Sequence, residues 1–402
     1  MISLDEARAI LIAALTAGSA ETVDYSKACG RVLAEPLLAK RTQPPFDASA
    51  MDGYAIRSAD LAQGPASFEL TGESAAGARH YGDLRPGQAI RISTGAPMPN
   101  GADQVVMQER AKLDAGQVHL DDTCRPNSNV RKAGIDFEAG KLLLPAGTRL
   151  TPDAIGLAVG AGLTELTVHV RPRVGILSTG DELVEPGEAT GPDQIINSIS
   201  KALDGLVRQW GGEPVYLGIA RDSPAAVRAK LDAAAGLDLL VTIGGASVGD
   251  HDHLRQVFND AGGQLTFEKI AVKPGKPTWF GALGRLPILG LPGNPVSSLV
   301  MARLCLLPVL QRLTGQPPEL DFGQARLGAD LEENGSRENF VRAIRDPSNG
   351  TVAPLGNQDS SALSALSQAD CLIRRAADAP AALAGGAVEI LPLKTSRYDG
   401  WT

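Results

Sequence analysis

Four short loops between residues 178 and 295 gather hydroxyls, carboxylates, glycines and lysines in patterns that suit a phosphate and a divalent cation. The first, Ser178-Thr179-Gly180-Asp181-Glu182, follows the apolar run Arg173–Leu177. Hydroxyls beside a glycine turn and two carboxylates make a phosphate-plus-metal corner, because Mg2+ is usually held by one or two carboxylates together with substrate phosphates. The same residues also suit a polar turn in which Asp181 caps a helix. The second loop, Gly244-Gly245-Ala246-Ser247-Val248-Gly249-Asp250, follows the apolar run Leu237–Ile243. Its three glycines let successive N–H groups face one anion, and Asp250 and Asp252 follow within reach of a metal. It lacks the ending of a P-loop, and a plain glycine-rich connector is the other reading. His251 and His253 alternate with these aspartates, but too few further nitrogen or sulfur ligands lie nearby for a zinc site.

The third loop, Lys273-Pro274-Gly275-Lys276-Pro277, is expected to follow a strand over Leu265–Val272. Prolines fix its two ammonium groups, and Lys269, four residues before Lys273, would share a face of that strand. Three clustered lysines in an acidic chain make a polyanion site. In the fourth, Leu291-Pro292-Gly293-Asn294-Pro295, Asn294 is a fitting N-cap and Pro295 a fitting first helical residue. The helix N-terminus would offer N–H groups to an anion, or be ordinary capping. Taken jointly, the four loops describe a crevice for a phosphate-bearing ligand with a divalent metal. Three other stretches, Pro44–Ala55, Ser93–Pro97 and Arg131–Asp136, read from their residues alone as structured loops; Asp52-Gly53 marks a sharp turn.

The elements that must position these loops follow from periodicity. Apolar runs at Arg173–Leu177, Val215–Ile219, Leu237–Ile243 and Leu286–Leu289 alternate with helical stretches punctuated by Ser223-Pro224, Gly211-Gly212 and Gly262-Gly263. This alternation predicts a mostly parallel sheet covered on both faces, with ligands at the carboxyl ends of its strands. Ser3 and Glu6 form a capping box ahead of Leu4, Ala7, Leu11 and Leu15 at helical spacing. Asp5 and Glu6 argue against reading that segment as a signal peptide. Residues 46–138 hold short alternating runs and no long helix. We expect a split helical framework over 1–45 and 139–170, an inserted β-rich domain over 46–138, an α/β domain over 171–318 and a small β-barrel over 319–402.

Composition bounds the partners. The 402 residues carry 38 Lys and Arg against 46 Asp and Glu, a formal charge of -8, with 4% aromatics. A nucleic-acid binder usually shows a basic face, so none is expected. No segment approaches 18 uninterrupted apolar residues, so no membrane partner is expected either. Four scattered cysteines without a CxxC suit a reduced, cytoplasmic chain.

The stretch Pro44–Ala55 resembles the signature of molybdopterin molybdenumtransferases, the MoeA and gephyrin E-domain family. The resemblance continues through Ser93–Pro97, Arg131–Asp136, Ser178–Leu183, Gly244–Asp250, Lys273–Pro277, Leu291–Pro295, Asn339–Ala343 and the Gly356–Leu366 loop, essentially the whole chain in order. It implies an elongated multidomain α/β plus β protein whose α/β domain is similar to the MogA adenylyltransferases. It also implies a cytoplasmic homodimer supplied by a molybdopterin adenylyltransferase, with molybdate and adenylylated molybdopterin as substrates and Mg2+ as cofactor. The site would lie between the α/β crevice of one subunit and the inserted domain of the other.

Carried over position by position, the resemblance makes Asp52, Thr94, Asp136, Glu182, Asp222 and Asp252 catalytic. Substrate would be held by Ser178, Thr179, Gly180, Gly245, Ser247, Gly249, Lys269, Lys273, Lys276, Pro292, Asn294, Pro295, Arg342 and Ser361. Glu182, Asp250 and Asp252 would hold the metal. Lys273 and Lys276 are expected on pterin or AMP phosphate, and Arg342 with Ser361 on an oxyanion. The chain departs from the family where Asn197-Ser198-Ile199 replaces a common Asp-Ser-Asn and Ala246 replaces Val. An adenylyltransferase resembling residues 171–317 alone, or a non-catalytic scaffold, are the competing readings. The extra segments oppose the first, and the intact carboxylates and lysine loop oppose the second.

Overall fold

The computed structural model describes residues 1–61, 66–120, 128–245 and 253–393. Its central sheet has six strands in the order Glu213–Ala220, Arg173–Thr179, Leu239–Ile243, Leu286–Leu291, Trp279–Leu283 and Gln264–Phe267. The first four are mutually parallel, and Trp279–Leu283 runs antiparallel to both its neighbours. Side chains alternate across the pleat. Leu239, Val241 and Ile243 enter one core with Val174, Leu203 and Val300, whereas Leu240 enters the other with Val227, Leu231 and Phe258. Both faces are therefore covered, as continuous apolar strands require.

The first helix, Leu4–Ala13, opens on the expected box: Ser3 Oγ accepts the Glu6 N–H at 3.2 Å, and Glu6 Oε2 accepts the Ser3 N–H at 2.8 Å. Its apolar stripe, Leu4, Ala7 and Leu11, is buried in the core of the α/β sheet, not against the framework to which residues 1–45 were assigned from sequence. Beside it runs Pro295–Leu313, α-helical at both ends and π-helical over Ala302–Leu306. Pro308 has no N–H to give, which removes one i→i−4 bond just where the helix widens. This 19-residue helix has the length and a mean hydropathy of 1.4 that a membrane span would have. It is 78% buried inside the protein, with Arg303 and Arg312 interrupting its apolar run, so it serves as a core helix.

Strand pairs Ala20–Asp24 with Glu165–His169, and Leu37–Leu38 with Leu142–Leu144, tie the segments flanking residues 46–138 together. Within that span a six-stranded sheet forms, antiparallel except where Ala66–Ser74 meets Gln88–Ile92. At the other end, Glu338–Arg345, Cys371–Arg375, Ala387–Pro392 and Gly323–Arg326 pair in turn. Val352–Pro354 flanks Glu338–Arg345, and a bridge from Leu327 to Val352 joins the two ends of the series.

The expected strand over Leu265–Val272 does not exist as one element. The chain bulges between Leu265 and Phe267 and leaves the sheet, and Val272–Lys273 then pairs with Glu338–Asn339 of the C-terminal sheet. Between them the Lys269 carbonyl accepts the Ile2 N–H at 3.1 Å. Lys269 and Lys273 therefore share no strand face, and the alternation that placed them together ends at Phe267.

Candidate functional site

Three loops at the carboxyl edge of the parallel strands surround a cavity of about 400 Å3. Thr179, Gly180 and Glu182 come from the first loop, Gly244 and Gly245 from the second, and Gly293 and Pro295 from the fourth. Gly180 sits at φ 144°, a backbone conformation that favours glycine, and its missing Cβ leaves room for the Glu182 carboxylate, which would lie 2.3 Å from it. Asp222 lines the same cavity and clasps the loop: its Oδ2 accepts the Asp181 N–H at 3.3 Å, and Asp181 Oδ1 accepts the Asp222 N–H at 3.0 Å. Ser178 is fully buried and stands behind the wall, its hydroxyl donating to Asn197 Oδ1 at 3.1 Å. Ser247, Gly249, Asp250 and Asp252 lie outside the described residues.

The lysine loop opens onto a different cavity, also about 400 Å3, formed with the C-terminal sheet. Lys273 and Lys276 are exposed at its mouth, and Arg342 and Arg337 line it. Arg342 is only 1% exposed. Its Nη2 donates to the carbonyls of Asn357 at 3.0 Å and Asp359 at 3.1 Å, while its Nε has no hydrogen-bond partner. Among the described residues no carboxylate pairs with it within 4 Å; the Asp359 carboxylate instead accepts the Ser361 N–H at 2.8 Å and hydroxyl at 2.6 Å. Burial pulls the guanidinium pKa down, with the Asp359 charge opposing. An interior cation without an ion-pair partner is costly, and an anion in the cavity would relieve it.

The fourth loop forms the partition between the cavities, and here the structure corrects three expectations. Asn294 stands at the N-cap but makes no capping bond; its Nδ2 donates to Ser360 Oγ at 3.0 Å. The helix N-terminus does not offer its first N–H groups to an anion, because Pro295 has none and Val296 donates to the Ser360 carbonyl at 3.0 Å. Pro292 is buried, its carbonyl accepting the Ser298 hydroxyl. In the second cavity the lining serines are Ser297 and Ser360, whereas the Ser361 hydroxyl is spent on Asp359. Lys269 lines neither cavity.

A third cluster forms in the inserted segment. The three stretches read as separate loops are one assembly: Ala48–Ser49 pairs with Val130–Arg131, and the Gly95 N–H donates to the Ser49 carbonyl at 2.8 Å. The Asp52 carboxylate accepts the Thr94 N–H at 2.7 Å and both residues are exposed. Asp47 clamps the third stretch, accepting Lys132 Nζ at 2.8 Å and the Ala133 N–H at 2.9 Å; these bonds hold its carboxyl below the ordinary range. Asp136 is exposed beside Gln43, its N–H donating to the Gln43 carbonyl at 3.2 Å. Neither cavity takes a lining residue from the described part of 46–138.

Sequence reasoning missed Arg337, Gln358 and Ser360. Their only signal was proximity to Asn339–Ala343 and the Gly356–Leu366 loop, because the fold alone brings them to the lysines.

Comparison with known proteins identifies the family. Residues 2–162 match the MoeA N-terminal region (domain I and II), residues 175–312 a probable molybdopterin binding domain, and residues 324–393 the MoeA C-terminal region (domain IV). A molybdopterin molybdenumtransferase of Nostoc sp. is 38% identical over 80% of this chain and 76% of its own length. One from Haemophilus influenzae is 35% identical over 93% and 94%. The crystal structure of a molybdopterin biosynthesis MoeA protein from Pyrococcus horikoshii superposes with a TM-score of 0.84 at 28% identity, covering 98% of this chain and all of that one.

Proposed function

The chain belongs to the MoeA family of molybdopterin molybdenumtransferases, and from that premise we propose that it transfers molybdenum from molybdate to adenylylated molybdopterin and releases AMP. The observation that carries this reading is Arg342: a buried guanidinium with a partnerless Nε, in a cavity whose mouth carries Lys273 and Lys276. Such a site suits a compact tetrahedral dianion. The first cavity, with its glycine turns and Thr179, suits the phosphates and heterocycles of the other substrate. Lys273 and Lys276, expected from sequence on pterin or AMP phosphate, belong in this reading to the molybdate side.

Among the described residues no three His, Cys, Asp or Glu side chains gather into a metal cage. Mg2+ needs none, since one or two carboxylates plus substrate phosphates hold it. Glu182 and Asp222, lining one cavity, fit that donor set. When bound, the ion would neutralise charge at the phosphoanhydride that breaks. Glu182 and Asp222 would orient it. The N–H of Gly245 would hold a phosphate oxygen, since that of Gly244 is already given to the Leu291 carbonyl at 3.1 Å, and Arg342 would keep the oxyanion in place.

Asp52 and Thr94 would act from a second copy, because the cavities take nothing from the described part of their segment; a homodimer follows from this reading. A molybdopterin adenylyltransferase would supply the substrate. Cys29, Cys305 and Cys371 are free thiols, which suits the cytoplasm. Incubation with adenylylated molybdopterin and Mg2+ tests the proposal. Molybdate should accelerate AMP release, and release independent of molybdate would refute it.

A further inference from the structure

Asn197 lines the first cavity yet is only 3% exposed, and its carboxamide is gripped on both sides. Oδ1 accepts the Ser178 hydroxyl at 3.1 Å, and Nδ2 donates to Tyr216 Oη at 2.9 Å. Tyr216 Oη donates in turn to Glu185 Oε1. Lys201 Nζ closes the chain, 3.1 Å from Glu185 Oε2 and 3.6 Å above the Tyr216 ring. Four side chains thus run from the cavity wall to the surface.

The direction of this chain is set at its far end. An ionised carboxylate only accepts, so the Tyr216 proton goes to Glu185. The Tyr216 oxygen must then accept from position 197, and the group there must donate. An amide can do so and a carboxylate cannot. Burial pushes the Glu185 carboxyl up, but the bonds from Tyr216 and Lys201 outweigh it and hold the group below its ordinary value. The amide at 197 is therefore matched to Glu185 through Tyr216.

We propose, resting on the assignment of this crevice to adenylylated molybdopterin, that Asn197 is a specificity-determining residue aimed by the positioning residues Tyr216, Glu185 and Lys201. Its second N–H and the remaining lone pair of Oδ1 are left for a bound ligand, so it meets a neutral heterocycle edge that both accepts and donates. It also adds no charge to a wall that already holds Glu182 and Asp222. A carboxylate at this position would add repulsion toward phosphate and face the Tyr216 oxygen with no proton between them.

Four proteins test this: wild type, N197D, E185Q and N197D/E185Q. In the double variant the new amide at 185 donates to the Tyr216 oxygen, which frees the Tyr216 proton for the aspartate at 197. Thermal midpoints without ligand read the polarity of the chain. N197D should lower the midpoint and the double variant should recover most of the loss; additive effects overturn the polarity argument. Binding of adenylylated molybdopterin reads the amide itself. It should weaken about tenfold in N197D and stay weak in the double variant, because the chain is restored while the amide is not. Wild-type affinity in N197D overturns the specificity role. Tyr216→Phe should raise KM about threefold at unchanged kcat, and a fall in kcat alone would count against positioning. A wild-type protein that binds no adenylylated molybdopterin refutes the crevice assignment and the ligand half of the proposal, while the midpoint cycle still judges the chain on its own.

Discussion

The two cavities flank the same few residues, Pro295 facing one and Ser297 the other, yet they are built by opposite rules. The first is assembled from turns that end consecutive parallel strands. Among its polar groups the Asp222 carboxylate is clasped by the Asp181 N–H and the Asn197 amide by Ser178 and Tyr216. The second is assembled across two sheets, with cations at its mouth and a buried guanidinium with which, among the described residues, no carboxylate pairs within 4 Å. A site left with uncompensated positive charge selects for the ligand that supplies the missing sign. On the proposed function, this difference would put the oxyanion in the second cavity and the nucleotide and pterin in the first.

The largest effect that could break this division is at Arg342. Arg342→Ala should raise the molybdate KM on the order of a hundredfold, through loss of charge-assisted hydrogen bonds, and leave binding of adenylylated molybdopterin intact. Equal damage to both substrates in steady-state kinetics would merge the cavities into one site. Next is Glu182→Gln. It should lower kcat about thirtyfold, from roughly 2 kcal/mol of lost transition-state stabilisation, with molybdate KM unchanged. A shifted molybdate KM in that variant would count against the division from the other side.

Lys273→Ala should raise the molybdate KM by only about fivefold, since the ammonium is exposed, and the effect should shrink as salt is added. Titrating KM against ionic strength checks both statements.

The smallest effect concerns the wall behind the first cavity. Burial, with the Glu185 hydrogen bond, pushes the Tyr216 hydroxyl up to about 12. In the unfolded chain it ionises near 10. The folded group holds its proton longer, so its contribution to stability is present below about pH 10 and is lost as pH rises toward 12. Urea midpoints at pH 9 and pH 11.5 should therefore fall further for the wild type than for Tyr216→Phe. Parallel curves would remove Tyr216 from the account.

Local signals made much of the fold legible. The Ser3–Glu6 box and Ser223 capping Pro224–Ala233 both stand where the local residue pattern placed them. What the apolar stripe of the first helix could not say is which core receives it, because periodicity specifies a buried face and not its partner. The first cavity was legible for a similar reason: three of its loops each end a recognisable strand. The second was not. Lys273 and Arg342 lie far apart in sequence and meet only because Val272–Lys273 pairs with Glu338–Asn339. Asn294 shows the same limit at one residue, since its cap position was readable and its bond to Ser360 was not. Asp52 and Thr94 were carried by resemblance, and the 2.7 Å bond between them gives that pairing a physical form.

Anomalous diffraction at the molybdenum edge from crystals soaked in molybdate tests the division of the two cavities most directly. The account predicts a peak within hydrogen-bond distance of the Arg342 guanidinium, beneath Lys273 and Lys276. A peak in the first cavity alone, among Gly180, Gly245 and Glu182, would contradict it.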